Sequence, residues 1–248
     1  MSGFKLTTLV LCGFVASSCI SSRSDLSERE FAARYADFKY CRVPVIEQSS
    51  QKSCGAAALA CVLGYWLENE PPSEQQLLAK SPPQSEVGYP LLQLRDLARN
   101  QGVLSFAVSL DKDPMAQLSS HIARGRPVIV AADVPKGRYF TDGLPLIESL
   151  DRRSVPSPLP TAGVWKSHYL VVAGISSSEV LLMDPQYGLV TVARDQFESF
   201  WKKQVFAALI CSGKPKEPTV AQTQEKPFNG APPPGLFAST FILSSIER

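Results

Sequence analysis

Residues 54–63 constrain the fold most, because this run contains only Cys, Gly, Ala, Val and Leu. A segment of this length without a polar face predicts a helix that is buried on all sides. The polar stretch before it ends at Ser53, a residue type that commonly caps helices. Residues 43–46, which precede that stretch, form a short apolar run. The sequence therefore predicts a strand, a loop and a buried helix, with Cys54 in the first helical turn.

The next part of the chain reads as helices and strands in alternation. Leucines at helical spacing predict two helices. One lies around residues 77–78; the other has its leucines within 91–97 and is ended by Gly102. A strand is predicted over 103–108, a helix over 113–124 that stops at Gly125, and a buried strand over 127–132. Residues 137–164 are rich in Pro, Gly and charged residues, which predicts a long surface loop.

The second half becomes a series of strands. Residues 168–175, 180–184 and 189–193 are apolar runs separated by short turn sequences, a pattern typical of an antiparallel meander. The predicted fold class is α+β, with an N-terminal helical half whose buried helix packs on a C-terminal antiparallel sheet.

The first residues are typical of an export signal. Lys5 is followed by an apolar stretch over 6–15 and by small residues up to Cys19. This predicts a lipoprotein-type signal peptide over 1–18 with Cys19 as the lipidation site; plain cleavage with an incidental cysteine is the alternative. The apolar stretch is shorter than the about 20 residues that span a bilayer. We expect a periplasmic protein that contacts a membrane only through a lipid anchor at Cys19.

The mature chain divides into three parts. Residues 19–42 predict a lead-in helix, because Ser27 and Glu30 fit a capping box. Residues 43–212 form the predicted domain, and 213–248 are a Pro-rich tail.

Charge and cysteine content exclude several classes of function. The chain has 25 Lys and Arg against 23 Asp and Glu, without a long basic run, so nucleic acid is not an expected partner. There is no CxxC pair, and His121 and His168 are the only histidines, so we expect neither a metal nor another cofactor. If Cys54 stays free, Cys41, Cys61 and Cys211 leave an odd number for disulfides.

Cys54 is the candidate nucleophile, because a helix N-terminus and a nearby imidazolium lower the pKa of a thiol. His168 and Asp184 lie eight positions on either side of Ser176, so antiparallel pairing brings them within a residue or two of each other. A carboxylate beside an imidazole fixes its tautomer and stabilises its charged form. The alternatives are a small buried Cys54, a structural His168 and an Asp184 that forms a turn.

An acyl-transfer site also needs a donor for the developing oxyanion. A side-chain amide just before the nucleophile would act beside the backbone amide of Cys54. Gln48 and Gln51 both fit that position.

The stretch from Gln48 through Cys54-Gly55 to Leu59 resembles the bacteriocin-processing peptidase family C39, in which Gln stands six residues before Cys-Gly. Further segments follow in the family's order: residues 88–97, 125–129, 168–175, 184–188 and 197–201. The resemblance covers roughly 43–208. It implies a papain-like cysteine peptidase fold with Cys54, His168 and Asp184 as the triad, and Gln48 in the oxyanion hole.

Two departures qualify what the resemblance implies. Ser53 stands where the family usually has an acidic residue. The predicted export signal and the lack of a transporter domain are unlike the bacteriocin enzymes, and they are similar to stand-alone exported members such as that of the functional-amyloid (Fap) secretion system. The expected function is a cysteine endopeptidase that cleaves an exported or envelope polypeptide, with secretion or amyloid components as possible partners. The alternatives are a catalytically silent peptide-binding or chaperone-like module, and a transferase on the same fold.

Overall fold

The computed structural model describes residues 26–67, 69–85, 87–144 and 164–213. The predicted signal peptide over 1–18, the lipidation site Cys19 and the tail beyond residue 213 lie outside the described residues. The helices are α1 (Glu28–Arg34), α2 (Cys54–Trp66), α3 (Glu74–Lys80), α4 (Leu91–Asn100), α5 (Pro114–Ala123) and α6 (Arg194–Lys202). The strands are β1 (Lys39–Tyr40), β2 (Leu104–Ser109), β3 (Val128–Pro135), β4 (Asp142–Leu144), β5 (Trp165–Ile175), β6 (Glu179–Asp184), β7 (Gly188–Ala193) and β8 (Ala207–Ser212).

Within the described residues the strands form one antiparallel sheet in the order β2-β8-β3-β5-β6-β7-β4, with β1 paired to β5. The predicted meander is confirmed as β5, β6 and β7, which are consecutive in the sheet. Val171 pairs with Met183, and a register shift follows between Val172 and Gly174. The α+β prediction is therefore confirmed, with α2 packed directly on β5.

Helix α2 is buried along nearly its whole length, as its composition predicts; Gly64 is its one residue that is not fully buried. The helix lies close to the sheet at Gly55. A Cβ atom there would lie 3.1 Å from the Tyr169 ring and 3.2 Å from both Leu94 and Tyr89. Glycine after Cys54 therefore lets the start of the helix sit against β5.

Helix α1 has the predicted capping box, in which the Ser27 side chain accepts from the Glu30 amide and the Glu30 carboxylate accepts from the Ser27 amide. Phe31 and Tyr35 of this helix are buried in the same core as α2. The lead-in helix is thus packed onto the domain rather than standing apart from it.

Two local predictions are wrong. Residues 43–46 form no strand, and the short strand in this region is β1. The backbone N–H of Cys41, the residue after β1, donates to the carbonyl oxygen of Ala173 in β5 at 2.7 Å. Pro44 lacks an amide donor, which disfavours pairing in the predicted place. The predicted surface loop over 137–164 begins with a buried Tyr139 and contains β4, which pairs with β7. Residues 145–163 lie outside the described part of the chain.

Across the described ranges, none of the helices has the length and apolar character required to cross a bilayer.

Candidate active site

Cys54 is the first residue of α2, as predicted, and its side chain is almost fully buried. Ser53 occupies the N-cap position, but the prediction that its side chain caps the helix is wrong. Its hydroxyl donates to Ser50 O and accepts from Ser50 N, both at 3.0 Å, and so closes the preceding loop. The Ser53 side chain therefore does not cap α2, and Cys54 stands at the helix N-terminus, where the positive end of the helix dipole favours a thiolate.

His168 and Asp184 meet as the strand pairing predicts. The register that pairs Val171 with Met183 sets Asp184 opposite Leu170, two residues from His168 along β5. Alternate residues of a strand share a face, so the two side chains lie on the same side of the sheet. His168 Nε2 lies 2.8 Å from Asp184 Oδ1, with both side chains buried. The other ring nitrogen, Nδ1, remains available to a third group.

That third group is the Cys54 thiol, which is near enough to His168 for each group to shift the pKa of the other. Burial raises the pKa of Cys54, but the hydrogen bond and charge of His168, with backbone amides of Tyr169 and Gly55, outweigh it and lower the pKa. Burial alone would lower the pKa of His168. The charge and hydrogen bond of Asp184, together with Cys54, raise that pKa to about 9. The site therefore favours a thiolate–imidazolium pair.

The sequence profile of the Peptidase_C39 like family matches residues 40–209. The chain belongs to this family. Its helix packed on an antiparallel sheet is the papain-like cysteine peptidase architecture predicted from the sequence. The C39-like fold thus brings together the three residues that the motif singled out.

Solved structures of C39 peptidases are similar to this C39-like chain. A C39-like peptidase from Bacillus anthracis shares 18% identity at a TM-score of 0.49, covering 71% of this chain and 96% of its own. The peptidase domain of Streptococcus ComA, a bifunctional ABC transporter, shares 19% identity at a TM-score of 0.46. The match covers 68% of this chain and 98% of that domain. A double-glycine-motif protease from an AMS/PCAT transporter, in complex with the leader peptide, shares 22% identity at a TM-score of 0.45. The match covers 73% of this chain and 94% of that protease. The comparison with curated proteins gives no match.

The Asp184 carboxylate of the C39-like chain accepts hydrogen bonds from two further groups besides His168. Tyr139 OH donates to Oδ2 at 2.5 Å, and the Gln186 amide donates to Oδ1 at 2.6 Å. Burial raises the pKa of Asp184, but the charge of His168 and these hydrogen bonds lower it on balance. Sequence reasoning missed Tyr139, because a segment rich in Pro, Gly and charge gives no signal that one of its aromatic residues turns into the core.

Gln48 and Gln51 differ in their surroundings. The backbone N–H of Gln48 donates to the carbonyl oxygen of Pro185, the residue after Asp184, at 2.9 Å. The side-chain oxygen of Gln48 is buried without a partner in the described structure. Gln51 is exposed on the loop. The structure therefore places Gln48, and not Gln51, beside the Asp184 turn.

A buried carboxylate holds the loop that carries Gln48. Glu74 of α3 accepts from the Ser49 amide at 2.8 Å and from its hydroxyl at 3.1 Å, and only 5% of Glu74 is exposed. Sequence reasoning also missed this residue, which reads as an ordinary acidic residue in a first helical turn.

The other three thiols of the described chain are buried and free. Burial raises the pKa of Cys41 and that of Cys211 to about 12, and it raises the pKa of Cys61 as well. Cys54 is therefore the one thiol of the described chain whose pKa is lowered. His121 of α5 is half-buried, and its Nδ1 has no hydrogen-bond partner in the described structure. Among the described residues no group of three or more His, Cys, Asp or Glu is arranged to hold a metal.

Proposed function

We propose that the chain is an active cysteine endopeptidase, with Cys54 as nucleophile, His168 as acid and base, Asp184 as the orienting carboxylate and Gln48 as an oxyanion donor. The observation that carries this proposal is the buried group of thiol, imidazole and carboxylate: His168 Nε2 lies 2.8 Å from Asp184 Oδ1, and His168 lowers the pKa of the Cys54 thiol at the start of α2. Membership of a peptidase family supports a polypeptide substrate.

In the proposed reaction the Cys54 thiolate attacks a peptide carbonyl carbon and forms a C–S bond, while the π electrons move to the carbonyl oxygen. The Cys54 amide and the Gln48 side chain bind that oxyanion. The tetrahedral intermediate collapses, the C–N bond breaks, and His168 gives its proton to the leaving amine. Water then attacks the thioester carbon while His168 takes a proton from it. The C–S bond breaks, the carboxylic acid product leaves, and the thiolate–imidazolium pair is restored.

The direct test uses the Cys54→Ala variant. Cleavage of peptide substrates should fall by at least about 10³-fold, as for other nucleophile deletions. The thermal unfolding midpoint should stay close to that of the wild type, because one sulfur atom is removed. Cleavage that persists in Cys54→Ala would exclude this mechanism.

We infer that the substrate is an exported or envelope polypeptide, in a protein or functional-amyloid secretion pathway. The signal-like residues 1–18 and Cys19 support this proposal, since lipidation would hold the enzyme at a periplasmic membrane surface. Mass spectrometry of exported proteins from strains with Cys54 or Cys54→Ala would identify termini that depend on the thiol. Fractionation of a Cys19→Ser strain tests the anchor, since the variant protein should leave the membrane fraction.

The second candidate is a silent peptide-binding or chaperone-like module, and the third is a transferase with an amine or thiol as acceptor. The lowered pKa of Cys54 favours an enzyme over a silent module. Iodoacetamide distinguishes them: a silent module predicts that Cys54 reacts no faster than an ordinary thiol near neutral pH. A transferase predicts that added amines or thiols appear in the product.

A further inference from the structure

Lys166 is a close neighbour of the proposed catalytic residues. It stands two residues before His168 on β5, so both side chains lie on the same side of the strand, about 7 Å apart along it. Its ammonium is near enough to Cys54 and Asp184 for both charges to act on it. A cation therefore borders the site on the imidazole side.

Within the described residues, Lys166 makes its direct side-chain contacts with uncharged groups. Its Nζ donates to the neutral amide oxygen of Gln186 and lies 5.9 Å from the centroid of the Tyr187 ring. The ion pairs of the described structure do not include it. Lys136, a second cation, is close enough to act on it, and Lys166 is half-buried, so one side remains open to solvent. A partly desolvated ammonium of this kind is a good partner for a carboxylate from another molecule.

The chemistry of cleavage fixes which part of a substrate meets this ammonium. His168 must protonate the leaving amine, so the leaving nitrogen lies against the imidazole when the C–N bond breaks. The residues that follow the cut then begin beside His168. One residue of an extended chain advances about 3.3 Å, so the side chains of the first two residues after the cut are within reach of Lys166.

We propose that Lys166 forms a subsite that selects Asp or Glu at the first or second position after the scissile bond. Gln186 accepts a hydrogen bond from the ammonium, and the Tyr187 ring centroid lies 5.9 Å from it. The subsite rests on the proposed peptidase function, and it adds a substrate class to it.

The test digests a proteome-derived library of tryptic peptides with the wild-type protein and with Cys54→Ala, and sequences the new termini. The wild type should show enrichment of Asp and Glu in the first two positions after the cut. Two synthetic peptides that differ only in Glu or Gln at the preferred position then give a ratio of kcat/KM. In Lys166→Met this ratio should fall about fivefold to tenfold, as for the loss of a partly buried ion pair.

Lys80→Met is the matched control, because Lys80 is an exposed lysine at the end of α3 and its loss should leave the ratio unchanged. Lys166→Arg keeps the charge and should keep the preference, while Lys166→Glu should favour basic residues. No acidic enrichment in the wild type, or equal losses of Lys166→Met on both peptides, would overturn the subsite while cleavage itself continues. Absence of Cys54-dependent cleavage would overturn the proposed function, and the subsite with it.

Discussion

The hydroxyl of Tyr139 donates a 2.5 Å hydrogen bond to Oδ2 of Asp184, the oxygen that does not face His168. The Tyr139 ring packs against Phe200 and Tyr187, with centroids 5.7 and 6.1 Å away. The carboxylate is thus held on both oxygens, and its plane is fixed relative to the imidazole. Tyr139 is a positioning residue that acts through Asp184.

Tyr139→Phe tests this relationship. The variant removes one hydrogen bond that lowers the pKa of Asp184, so that pKa should rise and the acidic limb of the kcat/KM profile should move to higher pH. We expect kcat to fall about threefold to thirtyfold, the equivalent of a hydrogen bond to a charged group, with KM little changed. Tyr65→Phe is the control, because it removes a buried hydroxyl bonded to Gly125 O. It should cost stability without moving the pH profile; a similar shift in both variants would argue against positioning.

His168→Ala should reverse the pKa shift of Cys54. Without the imidazole, burial remains as the largest cause and raises the pKa of the thiol above its usual value. Iodoacetamide labelling of the wild type should therefore reach its plateau at lower pH than labelling of His168→Ala. The basic limb of wild-type activity should fall near pH 9, where His168 loses its proton. Identical labelling curves for both proteins would show that no thiolate–imidazolium pair forms.

Gln48→Ala and Gln51→Ala form a matched pair, because both remove a side-chain amide from the same loop. Gln48→Ala should lower kcat by about 10²-fold with a small change in KM, as expected for the loss of an oxyanion donor. Gln51 is exposed, so Gln51→Ala should be near neutral. Steady-state kinetics on one peptide compares them. Equal effects of the two substitutions would remove Gln48 from the mechanism.

Gly55→Ala should destabilise the protein, although alanine is the better helix former by about 1 kcal/mol. The new methyl would lie 3.1–3.2 Å from Tyr169, Leu94 and Tyr89, closer than ordinary contact. Overpacking of this kind costs about 1–3 kcal/mol. Denaturant unfolding measures the free energy of unfolding, and a more stable Gly55→Ala variant would show that α2 does not press on the sheet there.

Local signals in the sequence account for much of the fold. The uniform run that starts at Cys54 predicts α2, and the alternation of apolar runs with turns predicts β5, β6 and β7. The failures arose where a local pattern competes with a distant contact. Residues 43–46 are apolar because they pack into the core, not because they pair. The composition after residue 137 suggests a loop, yet β4 pairs there with β7.

The sequence by itself determined the types and spacing of the proposed catalytic residues, because a thiol at a helix start and an imidazole and carboxylate across a short turn follow from local order. Only the tertiary structure decided that Tyr139 binds Asp184, that Glu74 holds the Gln48 loop and that Lys166 borders the site. Those contacts depend on sheet register and on the direction of each side chain. Both are set by packing between segments distant in sequence, which local periodicity does not encode.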